Sequence, residues 1–132
     1  IKPDVAIVTD VCHDTHTPMI NKIKQGDTKC GDGPVLFYGP AVQNNLLDLI
    51  IKSAEKNKIP FQRGAASRAT GTDTDAFAFS TGGVASALIS LPLRYMHTTV
   101  ETVSKDDVNN VINLIFNLLQ DIKDKHDFRY LK

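Results

Sequence analysis

Val84-Ala85-Ser86-Ala87-Leu88-Ile89-Ser90-Leu91 is an apolar, small-residue run that Pro92 cuts off, and Leu93-Arg94-Tyr95-Met96-His97 follows it. A run of this kind reads as a strand buried inside a layered sheet. If the chain stays extended past Pro92, Leu93, Tyr95 and His97 face one way and Arg94 and Met96 the other. Val5-Ala6-Ile7-Val8-Thr9 is a second buried strand, ending at Asp10. Val35-Leu36-Phe37-Tyr38 is a third, closed by Gly39-Pro40, and Phe61-Gln62-Arg63 is a short further one. Between them the period changes. Leu46, Leu47, Leu49, Ile50, Ile51 and Ala54 form a helical stripe over residues 43–57, ended by Asn57-Lys58 and Pro60. A short helix follows Thr72 or Asp73 as N-cap and closes at Gly82-Gly83. Residues 105–123 form the clearest helix. Val108, Val111, Ile112, Leu114, Ile115, Leu118, Leu119 and Ile122 mark its buried face, and Ser104 with Asp107 makes a near capping box. Strands alternating with helices give an α/β layer.

The chain has 132 residues, 42% apolar and 23% charged, which excludes disorder and suffices for one domain's core. No linker divides it. Fifteen basic residues balance fifteen acidic ones, so no global field favours nucleic acid. No apolar run approaches the length of a membrane span. Two cysteines, Cys12 and Cys30, are too few for a secreted disulfide scaffold and point to a reducing, cytoplasmic setting. Position 1 is Ile, and Ile1-Lys2-Pro3-Asp4 does not open like a signal peptide. The expectation is therefore a piece of something longer. Residues 11–33 read as a long polar loop, and the charged tail from Lys123 as frayed.

Three clusters could carry chemistry. Asp10 stands where a strand delivers its last side chain beyond the sheet, the place where open α/β sheets bind ligands; an Asp capping the next turn is the structural alternative. A zinc site from Cys12, His13, His16 and Cys30 is disfavoured. Cys12 and His13 are adjacent and point apart, and their spacing matches no structural zinc pattern. Thr70-Gly71-Thr72-Asp73-Thr74-Asp75 is a glycine-bearing loop opening a helix, able to present N–H groups to an anion, with an N-cap role as the plainer reading of Asp73. Asp73 and Asp75 diverge on a helix and make no facing carboxylate pair. His97 closes the third cluster, at the end of a rigid segment suited to orient a metal ligand.

Taken together, these clusters resemble the C-terminal part of the M42 family of metallo-aminopeptidases, the glutamyl aminopeptidase and TET-type enzymes, some of which carry endoglucanase labels. The resemblance lies in Ala6-Ile7-Val8-Thr9-Asp10-Val11-Cys12 with Pro18 following, in Gly71-Thr72-Asp73, and in Pro92-Leu93-Arg94-Tyr95-Met96-His97. Glu101-Thr102-Val103 with Asp106-Asp107 opens the last helix in a similar way. It runs from about residue 4 to 122. It implies a three-layer, zinc-exopeptidase-like α/β catalytic domain, a mixed sheet flanked by helices, with residues 1–132 as its C-terminal half. It also implies two divalent metal ions, zinc or cobalt, with Asp10 a carboxylate ligand of one and His97 the imidazole ligand of the other. Gly71, Thr72, Asp73 and Arg94 are the implied substrate-binding residues. By the same resemblance the activity is removal of N-terminal residues from peptides by a metal-activated water, in a cytoplasmic homo-oligomer, a dodecamer in the family. The family's other ligands and its Glu-Glu pair, which supplies the general base, lie upstream; no His-x-Asp or Glu-Glu occurs in these 132 residues. The fragment alone is therefore expected to be inactive. Cys12 replaces the usual Thr, His16 and Met19 replace Asp and Gly, and Thr74 stands where Ala is common. The alternatives are a non-catalytic interaction module that keeps the fold, and a glycan hydrolase.

Overall fold

The computed structural model describes residues 3–80, 82–123 and 126–128. β1 (Val5–His13), β2 (Val35–Tyr38), β3 (Gln62–Ala65), β4 (Ala85–Arg94) and β5 (Thr102–Val103) form one mixed sheet. Its order is β1-β4-β2-β3, with β5 paired to β4. β1 lies parallel to β4 and β2 parallel to β3, while β2 and β4 meet antiparallel at Val35↔Ser90 and Leu36↔Ile89. The helices are α1 (Lys22–Gln25), α2 (Asn44–Lys56), α3 (Asp73–Ala78) and α4 (Lys105–Asp121).

Alternation along β4 sets the layers. Ala87 and Ile89 join Leu36, Leu46, Leu47, Ile50, Leu114 and Leu118 in the core shared with α2 and α4. Ser86, Leu88 and Ser90 turn to the other face, also buried. There α3 packs on β4 and β1. This is the expected mixed sheet flanked by helices.

The α2 helix lies where its stripe places it. Its N-cap is Gln43, whose side-chain oxygen accepts from the Leu46 N–H at 2.7 Å. Lys58 takes φ +55°, which lets the Ile59 N–H reach back to the Ala54 carbonyl before Pro60.

A one-turn helix, α1, lies inside the expected 11–33 loop, and α3 ends at Ala78, short of Gly82-Gly83. Four strand boundaries also differ from the sequence reading. β1 continues three residues past Asp10, because parallel pairing with β4 runs on to His13↔Leu93. β4 likewise runs through Pro92. That residue lies between the Ile89–Ser90 pairing with β2 and the Leu93–Arg94 pairing with β5, so no ladder bond on that flank needs its missing N–H. β3 extends into Gly64 and Ala65, small residues beyond the expected end of the strand at Arg63. A Cβ at Gly64 would meet the Phe37 ring at 2.8 Å, so glycine there lets β2 and β3 close side by side. The extended piece after β4 stops at Arg94. Tyr95 and His97 take φ of +55° and +63° in a turn, so the alternation predicted for them does not hold.

The α4 stripe is wider than the surface that covers it. Val111, Leu114 and Leu118 are buried, whereas Ile112 and Leu119 are 59% and 60% exposed. Eight apolar positions spread over nearly half the helix circumference, and one sheet face with one neighbouring helix covers a narrower arc. The tail does not fray over residues 126–128: Phe128 packs on the core and its carbonyl accepts from the Gln43 amide at 2.9 Å. The rest of the expected frayed tail, 124–125 and 129–132, lies outside the described residues.

Candidate active site

Parallel pairing carries β1 and β4 toward the same end of the sheet. Asp10 stands level with Ser90, on the sheet face that also holds Cys12. Its carboxylate accepts from the Val11 N–H at 2.7 Å. The Ser90 hydroxyl beside it is buried and has no hydrogen-bond partner. His97 lies three residues beyond β4, in the exposed turn that reverses the chain into β5, and its N–H donates to the Glu101 carboxylate. Arg94 ends β4 with its Nε buried and unpartnered, and its guanidinium stacks 5.4 Å over the Tyr95 ring.

The Gly71-Thr72-Asp73 stretch is held from within. Thr72 is the N-cap of α3 and accepts from the Thr74 N–H at 3.2 Å, while Asp73 is the exposed first helical residue. The Thr70, Thr72 and Thr74 hydroxyls form a chain at 2.8 and 2.9 Å. The N–H groups of Thr70 and Gly71 are already taken by the Asp75 carboxylate, at 3.0 and 2.9 Å. Burial pushes the Asp75 carboxyl up. Those N–H donors and the Thr70 hydroxyl outweigh it and hold the group below the usual carboxylate value. A depressed folded pKa stabilises the loop above the unfolded value, and that stability is lost as pH falls through the lower folded one. The loop is therefore expected to loosen below about pH 4. Hydrogen exchange at the Gly71 N–H should show it, and Asp75→Asn should flatten the pH dependence.

Two buried carboxylates, Asp14 and Asp107, hold distant backbone N–H groups, a role the sequence reading did not give them. Asp14 accepts from the N–H groups of His16 at 2.7 Å and Cys30 at 3.2 Å. Asp107, fully buried at the start of α4, accepts from the Gly31 N–H at 2.7 Å and the Gly33 N–H at 2.8 Å. It does not reach back to the Ser104 N–H as a capping box would; only the Ser104 hydroxyl takes part, accepting from the Asp107 N–H at 3.4 Å. Together these two pin the 14–33 segment beside the end of β1. The Gly-x-Gly at 31–33 was the one available signal, since exposed N–H pairs at glycines invite a carboxylate. Burial, with Asp14, Asp10 and Asp107 adding negative charge, pushes the Cys12 thiol up to about 12. His16 is engaged at the surface with Asp27 at 2.8 Å and Lys22 at 3.0 Å.

The donors fit the implied metals by type, since carboxylate oxygen and imidazole nitrogen both suit zinc or cobalt. They do not complete a site: among the described residues no group of three or more His, Cys, Asp or Glu side chains gathers to hold an ion.

Residues 1–114 match the M42 glutamyl aminopeptidase family. A lysyl aminopeptidase of Pyrococcus furiosus is 37% identical over 123 residues, covering 93% of this chain and 35% of that protein. The chain thus spans about a third of the length of such relatives. The crystal structure of a TET aminopeptidase from a marine sediment thaumarchaeon superimposes with a TM-score of 0.78 at 31% identity, covering 88% of this chain and 33% of that one. The TET1 peptidase of Pyrococcus horikoshii, which can assemble into a tetrahedron or a large octahedral shell, matches with a TM-score of 0.66 at 28% identity, over 89% of this chain and 33% of that one. With the family match, the sequence identity and the superposition each covering most of its length, the chain belongs to the M42 glutamyl aminopeptidase family.

Proposed function

We propose that this chain is the C-terminal part of a metal-dependent aminopeptidase that removes N-terminal residues from peptides. Asp10 and His97 would each give one ligand to a pair of divalent ions. The observation that carries this reading is the parallel β1–β4 pairing, which sends Asp10 and the turn bearing His97 toward one end of the sheet in a chain of this family. In the complete enzyme the metals would supply Lewis-acid polarisation of the substrate carbonyl. This chain's own part is to hold Asp10 on a rigid strand, set His97 in a fixed turn, and keep the neighbouring 14–33 segment in place through Asp14 and Asp107. The remaining ligands and the general base would come from outside these residues, so the chain by itself is inactive. The open flank of β1 and the exposed Ile112, Phe116 and Leu119 support a homo-oligomer, as does the shell-forming TET1 relative. Among the described residues no helix is long and apolar enough to cross a membrane, and the two free cysteines fit a cytoplasmic setting.

Calorimetric titration of the 132-residue chain with zinc should give only weak binding, with a Kd above the micromolar range, because two protein ligands fall short of the usual complement. Asp10→Asn and His97→Gln should each weaken it further. In the longer protein the same substitutions should lower kcat/KM toward aminoacyl-p-nitroanilides by at least about 100-fold, more than the loss of a supporting contact. Sub-micromolar binding to the chain alone, or full activity in either variant, contradicts the assignment. Cellulose hydrolysis in place of anilide hydrolysis would favour the glycan reading, which needs two carboxylates flanking one bond.

A further inference from the structure

One polar side chain beside the proposed metal ligand has no partner. The Ser90 hydroxyl is buried, and among the described residues nothing hydrogen-bonds to it. A serine in this strand can do otherwise. Ser86, four residues earlier on the same face of β4, donates its hydroxyl to the Val84 carbonyl at 2.8 Å. An orphaned buried hydroxyl destabilises the fold that carries it, so its presence calls for a physical cause.

Strand register supplies one. Asp10 of β1 and Ser90 of β4 stand level in the parallel ladder, with their side chains on one sheet face. The other neighbours of Ser90 on that face offer little. Val35, opposite it on β2, and Leu88 and Pro92, two positions either way along β4, carry no side-chain acceptor. Cys12, diagonal to it on β1, has only a weakly accepting sulfur. Asp10 itself accepts through Oδ1 from the adjacent Val11 N–H, a bond confined to its own strand. A carboxylate that holds a metal is ordinarily fixed by a further hydrogen-bond donor. A hydroxyl suits that task, because it orients the oxygens without bringing a positive charge against the cation. Neighbouring strands lie about 4.8 Å apart, so side-chain rotation brings the hydroxyl to the carboxylate with the backbone unmoved.

We propose that Ser90 is a positioning residue: its hydroxyl donates to the Asp10 carboxylate and fixes it as a ligand for a divalent ion. This rests on the reading of Asp10 as a metal ligand. The test is zinc titration of the isotopically labelled 132-residue chain, followed by amide chemical shifts, with urea denaturation of each variant. Ser90→Ala should raise the zinc Kd about tenfold or more, the usual effect of removing a ligand's hydrogen-bond partner. Its urea midpoint should equal or exceed the parent's, since it deletes an unsatisfied buried group. Ser90→Thr, which keeps the hydroxyl, should bind zinc as the parent chain does. A lower urea midpoint in Ser90→Ala, an unchanged Kd there, or equal weakening by alanine and threonine would each overturn the proposal. Asp10→Asn in the same titration separates the two readings. Zinc binding that survives it defeats the metal assignment itself, whereas binding weakened by Asp10→Asn but not by Ser90→Ala defeats only the role of Ser90.

Discussion

Gly33→Ala is expected to cost about 3 kcal/mol or more, a large part of the about 5–15 kcal/mol that holds a domain folded. Two effects add. Gly33 has φ +97°, a conformation that an L side chain adopts only under strain. A Cβ there would also stand 2.3 Å from the Pro60 carbonyl oxygen and 2.6 Å from its carbon. Those are backbone atoms, so no rotamer change relieves the clash. The Gly33 segment would have to move away from β3, taking with it the Gln62 N–H bond to the Pro34 carbonyl at 2.8 Å. Urea denaturation followed by circular dichroism measures the loss. A midpoint within error of the parent chain would show that the close approach to Pro60 does not exist in solution.

Asp107→Ala acts on the same segment from the opposite side. It strands the N–H groups of Gly31 and Gly33 and removes a negative charge from the first turn of α4. Gly33 is buried, so its N–H cannot turn to water without local opening. An orphaned buried donor costs about 1–3 kcal/mol, and losing a charged acceptor sits at the upper end. A total of about 2–4 kcal/mol is expected, with Asp107→Asn losing less because one acceptor oxygen stays. The effects of the two substitutions should not add, since each already frees the 31–33 segment. Full additivity in the double variant would mean that Asp107 and Gly33 stabilise separate parts of the fold.

Much of the scaffold is legible in the linear chain. The α2 stripe from Leu46 to Ala54, the Val35–Tyr38 strand and the Ser104 N-cap rest on local periodicity and capping, which a linear reading captures. Pro92 misled because local rules make proline a strand breaker, and only the gap between the β2 and β5 pairings removes the need for its N–H. Ile112 and Leu119 misled because apolar spacing does not tell how wide the covering surface is. In the site, Asp10 and His97 stood out by residue type and motif. Asp75 gave no sign that it closes on its own loop.

The sequence by itself determined the element types, the family and the two candidate ligands, because periodicity, caps and motifs are properties of neighbours along the chain. Only the tertiary structure decided that Asp107 seats on Gly31 and Gly33 and that Gly33 presses on Pro60. Such contacts join residues about 30 to 75 positions apart, and their energies come from burial and charge pairing, which exist only once the sheet and helices have closed around them.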